Sequence, residues 1–281
     1  MTVAVSPGVR ARHRTLGRAG YLVLLWAVWF GLTLAFEFIR GVGDEVSPAH
    51  RVASIERAVF FGAVPSEKLQ SWLFARDLPW LDYFAFLMHG LWFGVPFAFG
   101  LVVMIYRRQI LLEFFSWMLT TTYLAGMFYL LFPVEPPWMQ LGVPRILYVR
   151  NFGDYPANID PNPLAAFPSL HAAIPMVVGL FFLLRGGPKM ALFGKVSIVY
   201  ALAVGFSIVY MGEHWAIDVF AGYLLAGAVA GAFMSQRVRS LVTAIPGDPI
   251  GALARFDARF WAQPVAVVAS VPGEEPLRRA A

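Results

Sequence analysis

Two histidines stand beside long apolar runs in this chain, where an ionisable side chain is costly and marks a functional site by default. His171 closes the stretch Asn162-Pro-Leu-Ala-Ala-Phe-Pro168-Ser169-Leu170-His171, and His214 sits in Tyr210-Met-Gly-Glu213-His214-Trp-Ala-Ile-Asp218. Pro168 reads as the first residue of a helix, a position proline favours because its missing N–H would be unpaired there anyway. The free amides and positive dipole end of that helix form an anion site, to which Ser169 adds a hydroxyl and His171 a proton. His214 and Asp218, four positions apart, share one helix face. A carboxylate that accepts from one ring nitrogen fixes the tautomer and leaves the other nitrogen as a nucleophile. The structural alternatives are a Ser169 helix cap with an interfacial His171, and a His214–Asp218 pair that closes a tight turn. A zinc site drawn from His171, His214 and Asp218 or Glu213 has suitable donors, but no compact ligand motif such as His-Glu-x-x-His occurs. A metal-free phosphoryl site with no cofactor is the better fit.

The elements that hold these residues are membrane helices. Of 281 residues, 59% are hydrophobic and 14% charged, against roughly 25% charged in soluble domains. No cysteine is present, which excludes disulfides and thiolate chemistry. The net charge of +5 forms no basic stripe interleaved with aromatics, so nucleic acid is not an expected partner. Apolar runs at Tyr21 to Ile39, Leu81 to Tyr106, Ile110 to Phe132, Pro168 to Leu184, Met190 to Met211 and Trp215 to Met234 predict an all-α bundle of six transmembrane helices. The first run has no clear cleavage site and reads as an uncleaved span.

Basic residues orient the bundle, since cytoplasmic loops are rich in Lys and Arg. Arg10 to Arg18, Arg107 and Arg108, Arg185, Lys189 and Lys195, and Arg237 and Arg239 all fall on one side of an even number of spans. Both termini are therefore expected in the cytoplasm and both histidines on the outer face. The domain plan has a basic segment at 1–20, a catalytic membrane domain at 21–239 and a partly disordered cytoplasmic tail at 240–281. The outer face receives an interfacial segment at 40–80, with two short helices within Ser54 to Leu73, and a Pro-rich loop at 133–167. A transporter with a His and Asp proton relay would need polar residues deeper in several spans, and repeat symmetry; these candidates gather at one face.

The two segments resemble the signature motifs of the type 2 phosphatidic acid phosphatase superfamily, which shares a helical-bundle core with vanadium haloperoxidases. One family motif reads Pro-Ser-Gly-His; here Pro168, Ser169 and His171 match it, with Leu170 in place of Gly. The other reads Ser-Arg, five residues, His, three residues, Asp; Ser207, His214 and Asp218 match it, with Ile208 in place of Arg. The resemblance implies that His214 attacks phosphorus to form a phosphohistidine, that Asp218 orients it and that His171 protonates the leaving group. The family's Lys, six residues, Arg-Pro motif is missing, as is the arginine at position 208. In these absences the chain is similar to the inositol phosphorylceramide synthase branch and its bacterial relatives. So are Glu37 to Gly41, Trp80-Leu81-Asp82 with His89, Phe132 to Trp138, Asn162 to His171 and Gly212-Glu213-His214.

The branch implies a bacterial plasma-membrane transferase with its site on the extracytoplasmic side. It moves a phosphate-bearing head group, inositol phosphate among the candidates, from a lipid donor to a lipid or polyol alcohol. The alternative is a lipid phosphate phosphatase of the phosphatidic acid or polyprenyl phosphate type, with water as acceptor; a proton-coupled transporter is the remote one. Phosphoryl transfer depends on charge stabilisation, and Arg145, Arg150 and Arg40 are the available cations, suited to bidentate phosphate contacts or else to service as interfacial anchors. His89 is expected as a polar structural or substrate-gating residue, and Glu135 as a ligand for an acceptor hydroxyl.

Overall fold

Proline, glycine and paired charge divide the apolar runs into helices. A computed structural model of the protein describes residues 7–46, 51–150, 152, 164–238 and 249–262, and the described residues contain no β-strand. Its helices are α1 (Pro7–Val46), α2 (Ala53–Val59), α3 (Pro65–Trp72), α4 (Pro79–Leu91), α5 (Val95–Arg107) and α6 (Leu111–Leu131). They continue as α7 (Pro137–Leu141), α8 (Ile146–Val149), α9 (Leu170–Arg185), α10 (Ala191–Tyr210), α11 (Ala216–Met234) and α12 (Pro249–Ala262). The two short helices expected at the outer interface appear as α2 and α3.

Four stretches are long and apolar enough to cross a bilayer: Gly17–Arg40, Val95–Leu131, Pro188–Tyr210 and Ala216–Met234. The six-span expectation is thus met in part. The expected second span breaks at Trp92–Gly94 into α4 and α5, because Pro96 has no N–H to give the Trp92 carbonyl across the junction. A 3-10 turn at Arg108–Ile110 then joins α5 to α6, and the Cβ position of Gly100 meets the ring of Phe115 as the two pack side by side. The expected fourth span forms as α9, whose 16 residues reach about 24 Å, short of a ~30 Å hydrocarbon layer.

α9 is the central helix, packed on α10, α11, α6 and α5. Facing glycines bring α9 and α10 close: a Cβ on Gly179 would lie 2.6 Å from Ile198 Cγ1 and 3.0 Å from the Gly194 carbonyl. Small residues at such interfaces let backbones approach in the absence of a hydrophobic driving force. Pro175 inside α9 is accommodated, with Ser197 Oγ donating to its carbonyl at 2.7 Å. Aromatics fill the centre, with Trp117 and Phe181 edge-to-face at 5.3 Å.

The two ends of α9 differ in chemistry. At its C-terminal end Arg107 donates to the Gly186 carbonyl at 3.1 Å, and Arg185 pairs with Glu113 at 2.7 Å. Arg18 and Arg108 both lie against the Trp261 ring of α12, at 5.8 and 5.4 Å. There Tyr21 donates to Asp257 at 2.7 Å, fixing α12 on α1; burial pushes the Asp257 carboxyl up from its ordinary range. Residues 249–262 of the expected tail are therefore helical, while 240–248 and 263–281 lie outside the described residues. His171 sits at the opposite end of α9, roughly 20 Å away at 1.5 Å per residue.

Candidate active site

Helix α9 begins at Leu170, so Pro168 precedes the helix rather than opening it, and Ser169 is the N-cap in extended conformation (φ −66°, ψ 117°). The Ser169 side chain does not cap the helix. Its Oγ lies 3.4 Å from His214 Nε2, and its amide donates to the Asp218 carbonyl at 3.0 Å. The reading of Ser169 as a cap is thereby replaced by a lateral contact that ties the two sequence segments together. α11 comes close enough for this because residue 222 is glycine: a Cβ there would stand 2.4 Å from the Ser169 carbonyl.

His214 is carried on the turn between α10 and α11. Gly212 adopts φ +80°, a region glycine enters without penalty. Gln70 of α3 donates from Nε2 to the carbonyls of Tyr210 and Pro144, both at 2.9 Å. The Ile208 carbonyl accepts the amides of Glu213 and His214 at 3.0 and 3.3 Å. Asp218, fully buried, accepts the Trp215 amide on Oδ2 at 3.0 Å, and the same oxygen is 3.3 Å from His214 Nδ1. A proton on Nδ1 directed at Asp218 leaves Nε2 bare and open to a donor hydroxyl.

The His171 ring centre is 5.5 Å from that of His214. His89 stacks on His171 at 4.8 Å, and Trp92 lies 4.5 Å away, its Nε1 donating to the Leu170 carbonyl at 3.3 Å. Nε2 of His171 is buried with no hydrogen-bond partner among the described residues. The structure therefore brings Ser169, His171, His214, Asp218 and His89 together. The arrangement can present a bare imidazole nitrogen, a second imidazole and the amides of a helix N-terminus to one anionic group.

The three expected arginines separate. Arg40 pairs with Glu37 at 2.9 Å and lies within electrostatic reach of His171 and Tyr129, whose hydroxyl donates to the Pro168 carbonyl at 2.8 Å. Arg145 grips Glu213 bidentately, with both contacts at 2.8 Å, between the rings of Trp138 and Tyr148. It braces the residue before His214. Arg150 pairs with Asp77 at 2.6 Å and Asp82 at 2.7 Å, the latter also accepting from Tyr210. These carboxylates hold the Arg150 guanidinium above its ordinary range. Glu135 pairs with Arg51 at 3.6 Å, and its backbone carbonyl accepts Trp215 Nε1 at 2.7 Å. Asn162 lies outside the described residues.

Sequence reasoning missed Glu56. This residue of α2 is fully buried, and its Oε1 accepts the Ala216 amide at 2.9 Å in the first turn of α11. Burial pushes its carboxyl from 4.5 up to about 7, with the charge of Asp218 adding to the rise and the Ala216 hydrogen bond opposing it. A glutamate in a short mixed-polarity helix gives no local signal of such a role.

A polytopic helical protein that holds a carboxylate-backed imidazole and a second imidazole at a helix N-terminus has the side chains that acid–base and nucleophilic chemistry require. The chain is a member of the PAP2 superfamily, whose family profile matches residues 50–232. An undecaprenyl-diphosphatase of Sulfolobus acidocaldarius is similar to it, 35% identical over 91 residues. That match takes in 32% of this chain and 42% of the relative, so less than half of the relative's length is covered. No solved structure matches the chain.

Proposed function

We propose that this protein is a lipid phosphatase that hydrolyses the terminal phosphate of a polyprenyl phosphate or diphosphate in the membrane. The observation that carries the reading is the line Ser169 Oγ to His214 Nε2 and His214 Nδ1 to Asp218, at 3.4 and 3.3 Å, with His171 beside it. In the first step Nε2 of His214 bonds to phosphorus, the bond from phosphorus to the bridging oxygen breaks, and His171 gives that oxygen a proton. In the second, water surrenders a proton to His171 and attacks phosphorus, the P–N bond breaks and inorganic phosphate leaves. Asp218 holds the ring and balances the imidazolium charge. Ser169 and the first amides of α9, with Arg40, receive the phosphate oxygens. The chemistry needs no metal.

The relative named for a diphosphatase favours hydrolysis over the head-group transfer expected first from the sequence. Transfer to an alcohol such as a polyol is the second reading. It rests on Leu170 and on Ile208, whose side chain is sealed in an apolar cluster where the family motif has arginine. The basic end of α9 supports a cytoplasmic location for that end and an extracytoplasmic site; crossing by all six apolar segments belongs to the same proposal.

The test is the full chain purified in detergent and given undecaprenyl diphosphate, phosphatidic acid, or phosphatidylinositol with free inositol, with phosphate release and head-group transfer followed in parallel. His214→Ala should abolish turnover while the protein stays folded, and turnover should survive chelation. Full activity in His214→Ala would remove the mechanism, and transfer without phosphate release would move the assignment to the second reading.

A further inference from the structure

Two buried carboxylates flank the first turn of α11. Asp218 accepts the Trp215 amide and faces His214, whereas Glu56 arrives from α2, 160 positions earlier, to take the next amide, that of Ala216. Each keeps one oxygen, Asp218 Oδ1 and Glu56 Oε2, buried and without a hydrogen-bond partner among the described residues. Such an orphaned oxygen on a charged carboxylate is costly; Asp218 has the His214 imidazole 3.3 Å away to offset its charge, whereas for Glu56 a proton on the carboxyl removes most of the cost.

We propose that Glu56 is a positioning residue for phosphoryl transfer: through the Ala216 amide it fixes the turn that carries His214 and Asp218, and it does so as a neutral acid. The inference rests on the reading of His214 as the nucleophile. Glu56 is fully buried, and Val52 and Ala53 of the same segment share a buried apolar cluster with Val64, Val134, Ala166 and Trp215, the residue that precedes α11. Within this interior the charge it meets is that of Asp218 on α11. Around the rim, Arg51 is paired with Glu135 and Arg57 with Glu67, both pairs partly exposed. On the α7 side the neighbour is the neutral Gln140, whose Oε1 accepts the Ala53 amide at 3.0 Å.

The consequence is a pH limb set outside the catalytic residues. Because the folded carboxyl stands at about 7 against an ordinary 4.5, the native packing favours the acid form. That support is complete below the ordinary value and is lost as pH rises through about 7. Ionisation then adds a second negative charge beside Asp218, loosening the turn and repelling the incoming phosphate.

The experiment measures kcat and KM for phosphate release from undecaprenyl diphosphate between pH 5 and 9, on the full chain in detergent, for wild type, Glu56→Gln, Glu56→Ala and His214→Ala. Glu56→Gln keeps the acceptor for Ala216 and carries no titrating proton. It should retain wild-type kcat at pH 6 within about 3-fold and lose the decline near neutrality. Glu56→Ala should lower kcat about 10-fold or more with little change in KM, the loss scaled to one misplaced catalytic element. A Glu56→Gln profile that falls with the wild-type limb, or a wild type without that limb, overturns the proposal. If Glu56→Ala does not fold, the glutamine profile alone decides. An active His214→Ala would instead strike the nucleophile reading, so the two failures are distinguishable.

Discussion

Gly222 offers the sharpest test of how the site is assembled. A methyl group at this position would stand 2.4 Å from the Ser169 carbonyl and 3.2 Å from Ala172 Cβ. Real Cβ contacts do not fall below 3.0 Å, so α9 and α11 must separate by at least 0.6 Å in Gly222→Ala. The obstacle is backbone and cannot rotate away. The Ser169 Oγ to His214 Nε2 contact, already 3.4 Å, then opens beyond hydrogen-bonding range. A misplacement of about 1 Å costs about 100-fold in rate when the displaced group is catalytic, so an opening of 0.6 Å or more should cost about 10- to 100-fold, and the overpacking itself costs about 1–3 kcal/mol of stability. Gly227 on the same helix is the control, since nothing lies within 4 Å of its Cβ position; alanine there should stabilise by roughly 0.5–1 kcal/mol, the helix preference over glycine. Phosphate release and thermal unfolding on both variants check the argument. Near wild-type turnover in Gly222→Ala, or equal damage from Gly227→Ala, would refute it.

Two further substitutions probe the charges. Asp218→Asn keeps an acceptor for the Trp215 amide but no longer holds the imidazolium, and kcat should fall about 100-fold or more with the protein folded; an unchanged kcat in a single-turnover assay would dismiss the orienting role. Arg40→Ala removes the arginine within electrostatic reach of His171, and kcat/KM should drop about 100- to 1,000-fold, the range for losing one charge-stabilising donor. Equal activity in wild type and Arg40→Ala across ionic strengths would assign Arg40 to anchoring alone.

Some of this architecture is visible in residue order. The apolar runs locate α6, α10 and α11 to within one or two residues, and Pro168 to His171 and His214 to Asp218 lie in short segments whose chemistry follows from local spacing. Proline shows where local reading ends. Pro96 ends the ladder between α4 and α5, whereas Pro175 stays inside α9. The apolar surroundings are alike; what differs is tertiary, with Ser197 bonding the Pro175 carbonyl and glycines closing α9 on α10. Arginine shows it again: whether a loop arginine meets phosphate or carboxylate depends on partners far along the chain, and Arg145 found Glu213 across 68 positions. Glu56 and Gly222 were hidden for the same reason, since their roles exist only once α2, α9 and α11 are packed.

The charge balance of the site follows from these placements. A phosphate ester brings about −1.5 to −2, and the second-motif position that is arginine in the family is Ile208, fully buried in an apolar cluster. Arg145 and Arg150 are engaged by Glu213, Asp77 and Asp82. On the proposed reading the phosphate is therefore met by Arg40, by a proton on His171 and by the α9 N-terminus, whose dipole amounts to about +0.5. With so little positive charge, a second ionised carboxylate next to Asp218 would shift the balance against substrate. That is the physical reason a neutral Glu56 matters on this reading: one buried negative charge, that of Asp218, is balanced by His214 as the P–N bond forms, and a second has no such counter-ion.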